Sequence, residues 1–189
     1  MIPITYIPGF IPQERADQLF EVLRTNLAWV QYEDAPRGEY YCTDRWKPYT
    51  YGRGDGQRTY QPQPWTSEIR EIQAWVRGHL SGVELDVCFL NRYDTERNHL
   101  GWHSDDSPEM DPQRPIAIVS LGEAREIWFA PKSEKNPDPK DLDKIMLGHG
   151  SLCVMAAGMQ QTHMHKIPKA GFKCKSARVS LTFRGYREA

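Results

Sequence analysis

The spacing of apolar residues changes near residue 82. Before it, Leu19, Phe20, Leu23 and Leu27 recur at helical intervals with polar residues between them, which predicts a helix over 13–28. Ile69, Ile72, Val76 and Leu80 form a second stripe after Trp65, and Gly82 is placed to stop it. The stretch between, 36–65, is rich in aromatics, Gly, Pro and Gln and has little helical or strand periodicity. It reads as loops with short hairpin pieces. After Gly82, short runs rich in Val, Ile, Phe and Leu follow one another at 87–93, 115–121, 125–130, 144–147, 150–156, 161–167 and 177–184. Gly, Pro, Asp and Asn bound them, so a sandwich, jelly roll or barrel is expected. The polar, proline-containing segment 131–143 is read as a surface loop, because the strands on either side of it are too few for two cores.

A length of 189 residues, 39% hydrophobic and 26% charged, fits one globular domain over 1–189. No apolar run approaches the ~18 residues of a membrane helix. The N-terminus lacks a basic segment followed by an apolar one, so neither membrane insertion nor secretion is expected. Cys42, Cys88, Cys153 and Cys174 form no CxxC pair. That argues against a zinc ribbon or a disulfide scaffold and for reduced thiols in the cytoplasm. A monomer is the default state. The net charge of −1 excludes a general polycation. The charge is uneven, however: seven Lys/Arg against one Glu over 166–189, and ten Asp/Glu against five Lys/Arg over 104–143. Such a basic edge is compatible with a polyanionic partner without demanding one.

His103-Ser104-Asp105 is the first candidate for chemistry. On an extended strand residues i and i+2 face one side, so an imidazole and a carboxylate would enter one cavity. With a distant His they make the two-His-one-carboxylate set that holds non-haem Fe(II) with open positions. Alone the pair is weak, since six His and twelve Asp in this length give about 0.4 such spacings by chance; the plain alternative is a polar turn. For the second His, His79 falls on a helix, His99 is unassigned, and His149 falls in a Gly-His-Gly turn. His163 and His165 share one short run and one face, and periodicity does not choose between them. In 178–184, Arg178, Ser180, Thr182 and Arg184 share a face opposite Val179, Leu181 and Phe183. Either this is a half-exposed strand with its arginines in water, or the polar face lines a pocket and two guanidinium groups grip a dianion. Asn91 and Tyr93 close the strand at 87–93 on a shared face and would offer neutral hydrogen bonds.

Taken in order, Asn-x-Tyr, HxD ten residues later, a distant His and Arg-x5-Arg on a final strand resemble the AlkB-type family of Fe(II)- and 2-oxoglutarate-dependent dioxygenases, nearest its nucleic acid dealkylation branch. The likeness is carried by LNRYDTERNHLGWHSDD, PIAIVSLGEAREIWF, GSLCVMAAGMQQTHMHKIPK and ARVSLTFRGY, and covers about 87–187 strongly and the first 80 residues loosely. It implies a mostly β chain with flanking helices: a double-stranded β-helix, or jelly roll, at 83–189, with N-terminal helices and a nucleotide-recognition lid in 1–82. It implies His103, Asp105 and, from the His-x-x-Pro match in HKIPK, His165 as iron ligands. Arg178 is implied to pair the distal carboxylate of 2-oxoglutarate, with Arg184, Asn91 and Tyr93 as its other contacts. The implied reaction uses Fe(II), 2-oxoglutarate and O2. It removes methyl groups from bases such as 1-methyladenine or 3-methylcytosine in DNA or RNA, releasing formaldehyde, succinate and CO2.

The expected lid interleaves Arg37, Arg45, Lys47, Arg53 and Arg58 with Tyr40, Tyr41, Trp46, Tyr49, Tyr51, Tyr60 and Trp65. Aromatics stack on bases and arginines hold phosphates, which suits a flipped or single-stranded nucleotide. For each aromatic the alternative is packing of the lid onto the barrel. By resemblance Tyr49 and Tyr51 flank the base pocket, and Tyr51 would sandwich the base against His103. Ser107 stands where the nucleic-acid branch commonly carries an acidic base contact. Lys166, Lys169, Lys173 and Lys175 would reach the backbone or form a solvated face. Two rival readings are the same chemistry on another substrate (modified tRNA, protein side chain or small molecule) and a non-catalytic binding module on the same fold.

Overall fold

The computed structural model describes residues 2–32, 35–51, 57–134 and 137–187. Along the chain run β1 (Ile4–Ile7), α1 (Gln13–Asn26), β2 (Val30–Gln31), β3 (Gly38–Thr43), β4 (Tyr49–Tyr51), β5 (Arg58–Tyr60), α2 (Ser67–His79), β6 (Val87–Tyr93), β7 (Leu100–His103), β8 (Ile116–Gly122), β9 (Arg125–Pro131), β10 (Asp143–Leu147), β11 (Ser151–Met155), α3 (Met159–Thr162), β12 (His163–Ile167) and β13 (Arg178–Arg184). A seven-stranded sheet has the order β1-β11-β8-β13-β6-β3-β2, and a four-stranded sheet has the order β10-β9-β12-β7. The strands pair antiparallel in both, and β4-β5 forms a separate hairpin. This is the jelly roll with flanking helices that the strand pattern anticipates.

Both helices form where their apolar stripes can be buried. α1 buries Leu19, Phe20 and Leu23, and α2 buries Ile69, Ile72 and Val76. They cover the outer face of the larger sheet, against Leu90, Val119, Leu121, Leu181 and Phe183. Each such side chain contributes about 1.5–3 kcal/mol by leaving water. The Thr66 side chain caps α2 by accepting from the Ile69 amide. Gly82 follows the helix at φ +82°, a conformation glycine takes without strain. A second core, with Ile118, Ile127, Phe129, Leu147 and Ile167, fills the space between the sheets. A third gathers Tyr41, Tyr49, Tyr60, Phe89 and Tyr186 beneath the hairpin.

The structure corrects the sequence reading in four places. The stretch 36–65 contains β3, a strand of the larger sheet buried along all of Gly38–Thr43. Burial on both faces removes the alternation that marks a half-exposed strand. β1, not expected at all, forms the edge of that sheet, so the first 82 residues supply strands to the same sheet as the rest. The run 161–167 begins as the helical turn α3, and only His163–Ile167 is strand. Strand β7 ends at His103, so Ser104 and Asp105 lie beyond it rather than continuing the pleat. Among the described residues no helix is long and apolar enough to cross a membrane.

Candidate active site

Two strand pairings build the centre. β12 lies against β7 with His165 directly opposite His103, which joins ligands 62 positions apart in sequence. Asp105 follows two residues after His103 and stands between the imidazoles. Its Oδ1 is 3.8 Å from His103 Nε2 and its Oδ2 is 3.8 Å from His165 Nε2. One ligand atom from each of the three residues lies within 4.8 Å of the others. The Nδ1–H of His103 donates to the Gly101 carbonyl at 2.9 Å, which leaves Nε2 with its lone pair facing the cluster. Burial lowers the pKa of both imidazoles, His165 to about 3, where His103 adds to the effect. Burial pushes the Asp105 carboxyl up, but Arg184 and the two imidazoles outweigh it and hold the group below its usual range. Neutral imidazoles around an ionised carboxylate are the states a divalent metal requires. Asp105 Oδ2 is buried without a hydrogen bond, an acceptor turned toward the same space.

The polar face of β13 makes the second part. Register sets Arg178 opposite Tyr93 and Ser180 opposite Asn91, on β6, while Ser180 also faces Ser120 on β8. Arg178, 1% exposed, donates from Nη2 to Ser120 Oγ at 2.9 Å, and its guanidinium lies 5.2 Å from the Tyr93 ring centre. Its Nε and Nη1 are buried without partners. Burial brings this guanidinium down to about 10, still cationic at neutral pH. One cavity collects Arg178, Asn91, Tyr93, Ser180 and Thr182 at its polar side, apolar Ile118, Ile127 and Ile167, and all three metal-ligand candidates. A buried cation with two unpaired donors lining a cavity is a site for an anionic group.

Arg184 lies at the junction. Its Nη2 is 3.2 Å from Asp105 Oδ1, and its Nη1 donates to Tyr49 Oη at 3.2 Å. Burial lowers the Arg184 pKa, but Asp105 and the two tyrosines outweigh it and raise it further above its usual value. Tyr49 Oη in turn shares a hydrogen bond of 2.6 Å with Ser107 Oγ. Arg184 thus ties the Asp105 carboxylate to the hairpin, and it lines the same cavity as Arg178.

A second cavity opens on the same triad from the hairpin side. Its walls are Arg37, Tyr49, Tyr51, Tyr60, Phe89 and Asn91, and its floor holds His103, Asp105 and Arg184. Arg37 is buried, donating from Nε to Asn91 Oδ1 at 2.7 Å and pairing with Glu39 at 2.5 Å. Tyr51 and His103 meet edge to face, with ring centres 6.1 Å apart and planes at 81°. The two rings expected to sandwich a base are thus neighbours at the cavity but not parallel to each other.

Other expected contacts separate. Tyr40 and Trp65 belong to the helix-side core and Tyr41 to the core under the hairpin. Arg45 and Lys47 lie over the Tyr186 ring, and Trp46 is exposed at φ +49°. Arg58 approaches Glu39 at 3.8 Å, and Arg53 lies outside the described residues. Lys166 rests on Trp102 and Trp128 on the outer sheet face, and Lys169, Lys173 and Lys175 are exposed. His163 bonds Thr162 and has no ligand opposite it, because β7 stops at His103. His79 packs edge-on against Phe10, His99 bonds the Arg97 carbonyl, and His149 joins Asp17 to Gly122. Sequence reasoning missed Ser120 and Phe89 as site residues, while Tyr60, one of the expected lid aromatics, does line the cavity. Ser120 had a usable signal, being the one polar residue inside the apolar run 115–121.

Residues 3–184 match the 2OG-Fe(II) oxygenase superfamily. Over 188 residues the chain is 31% identical to the Alpha-ketoglutarate-dependent dioxygenase alkB homolog 3 of Homo sapiens, covering 94% of this chain and 64% of that protein. Over 183 residues it is 31% identical to the DNA oxidative demethylase ALKBH2 of Homo sapiens, covering 89% of this chain and 68% of that one. The structure of OsALKBH1 aligns with a TM-score of 0.69 at 17% identity, over 98% of this chain and 99% of that one, which shows the shared fold. The chain thus spans about 64% of the length of the first of these relatives. The residues present fit the cofactors that the family description names. The triad with its unpaired Asp105 Oδ2 suits Fe(II), and the unpaired donors of Arg178 suit a carboxylate of 2-oxoglutarate.

Proposed function

This chain belongs to the 2OG-Fe(II) oxygenase superfamily, and on that premise we propose that it oxidatively demethylates alkylated nucleic acid bases. One observation carries the reading: an aromatic-walled cavity shares His103, Asp105 and Arg184 with the cavity that Arg178 lines. A base in the first and a keto acid in the second would both abut one metal position. The names of the relatives, an alkB homolog and a DNA oxidative demethylase, agree with it.

When bound, Fe(II) with 2-oxoglutarate and O2 supplies the oxidation that turns a base methyl into a hydroxymethyl group, which leaves as formaldehyde beside succinate and CO2. The chain's own residues do the positioning. His103, Asp105 and His165 would hold the Fe(II). Arg178, with Ser120 and Asn91 beside it, takes the far carboxylate. Arg184 keeps the Asp105 carboxylate charged and oriented. Tyr51 stacks on the target base, and the Tyr49–Ser107 pair offers neutral hydrogen bonds to its edge. Ser107 brings no negative charge to the base, unlike an acidic residue there. We place the protein in the cytoplasm as a monomer acting on single- or double-stranded substrates.

The test is incubation with Fe(II), ascorbate, 2-oxoglutarate and a single-stranded oligonucleotide carrying 1-methyladenine, followed by mass. Loss of one methyl only in the complete mixture, and not with Asp105→Ala, is the expected result. Succinate release without methyl loss would move the substrate elsewhere. Neither signal from folded, iron-loaded protein would overturn the enzyme assignment.

A further inference from the structure

Asp105 is the one member of the triad outside a strand. β7 ends at His103, so no ladder bond holds the backbone of residues 104 and 105. Two other bonds replace it. Ser104 Oγ donates to the His163 carbonyl at 2.9 Å. The Asp105 backbone N–H donates to Gln160 Oε1 at 3.0 Å, a buried contact. Both ties run to the segment that leads into His165: Gln160 lies in α3, five positions before it. The Gln160 amide is anchored in turn. It is 8% exposed, and its Nε2 faces Met155 Sδ at 3.3 Å, on β11. Since the amide nitrogen only donates, this leaves the oxygen to accept from Asp105.

We propose that Gln160 is a positioning residue for the metal site, its side-chain oxygen holding the backbone of Asp105 in register with His165. The triad then has a brace from each direction: the β7–β12 register sets His103 against His165, and Gln160 sets Asp105 against both. An apolar side chain at 160 would leave the Asp105 N–H buried and unpaired, free to rotate the carboxylate away from the imidazoles. Groups that orient a ligand without touching the metal typically matter by about 10–100-fold in metal affinity. The inference rests on His103, Asp105 and His165 as the metal site, and not on what the substrate is.

The test titrates metal-free protein with Co(II) by calorimetry and records the visible absorption of the bound ion, which reports its coordination. Gln160→Met keeps the volume and loses the acceptor. It is expected to bind Co(II) about 10–100-fold more weakly, with a changed spectrum and an unfolding midpoint near that of the metal-free parent. Gln160→Glu keeps an acceptor and recovers most of the affinity. Gln161→Leu, at an exposed neighbour on the same helix, binds as the parent does. Unchanged affinity and spectrum in folded Gln160→Met overturn the proposal. So does equal weakening in Gln161→Leu, which would assign the effect to the helix and not to the amide. If Gln160→Met does not fold, Gln160→Glu decides alone, and a loss there beyond tenfold overturns the proposal. Asp105→Ala separates the two levels: if it still binds Co(II) like the parent, the metal-site reading has failed, whatever Gln160 does.

Discussion

Arg184 Nη2 lies 3.2 Å from Oδ1 of Asp105, and both side chains are almost wholly buried. The guanidinium also reaches Tyr49 Oη, so one residue at the end of β13 joins the metal carboxylate to the hairpin. Removing one partner of such a buried pair leaves an uncompensated charge and costs about 3–5 kcal/mol. Arg184→Met is therefore expected to lower the urea stability of the metal-free protein by that order. Mn(II) should restore part of the loss, because the dication takes over neutralisation of Asp105. Equal stability of parent and variant without metal would show that Arg184 does not hold the carboxylate.

His163 and His165 provide a sharp pair. Both lie on β12, yet only His165 has His103 opposite it. His165→Ala is expected to abolish metal binding and 2-oxoglutarate turnover. His163→Ala should keep both, since its ring bonds Thr162 at the strand's start. Calorimetry with Mn(II) on the two variants checks this, and the opposite ranking would reverse the ligand assignment.

Arg178 should act on the keto acid and not on the nucleic acid. A charge-assisted hydrogen bond is worth about 1.5–3 kcal/mol, so Arg178→Gln should raise the KM for 2-oxoglutarate roughly 10–100-fold. The KM for oligonucleotide should change little. A rise confined to the oligonucleotide would place the acid elsewhere.

The hairpin tyrosines should divide by role. Tyr51→Ala removes a stacking ring at the cavity mouth and should weaken oligonucleotide handling by ~1–3 kcal/mol. Substrate-independent succinate release should survive. Tyr49 is 2% exposed and packed among Tyr41, Tyr60 and Phe89, so Tyr49→Ala should destabilise the fold by about 3–5 kcal/mol. Thermal unfolding beside uncoupled turnover separates the two; a Tyr51→Ala variant as unstable as Tyr49→Ala would make Tyr51 a core residue.

Much of this architecture is legible in the sequence because it is periodic. The apolar stripes of Leu19–Leu27 and Ile69–Leu80 and the strands from Val87 onward, except β7 at Leu100–His103, which no apolar run announced, stand within a residue or two of where their spacing puts them. The alternation in Arg178–Arg184 also held: the four polar side chains share one cavity. β3 was illegible because both its faces are buried, which erases the two-residue rhythm. Resemblance singled out Tyr49 and Tyr51, but composition and spacing did not sort Tyr60 from Tyr40, Tyr41 and Trp65, since all are aromatic and differ only in which wall each faces.

The residue types of the site were thus set by the chain itself: two imidazoles, a carboxylate and two arginines in a fixed order. Which of them meet was a matter of register. The His-x-x-Pro resemblance already pointed to His165, but periodicity did not, and it was cross-strand pairing, a long-range property, that placed His165 and not His163 opposite His103 and set Arg178 beside Ser120. Only the packed structure turned Arg184 onto Asp105 and Gln160 onto its backbone. Those bonds join residues far apart in sequence, and they exist only once burial has removed water as the competing partner.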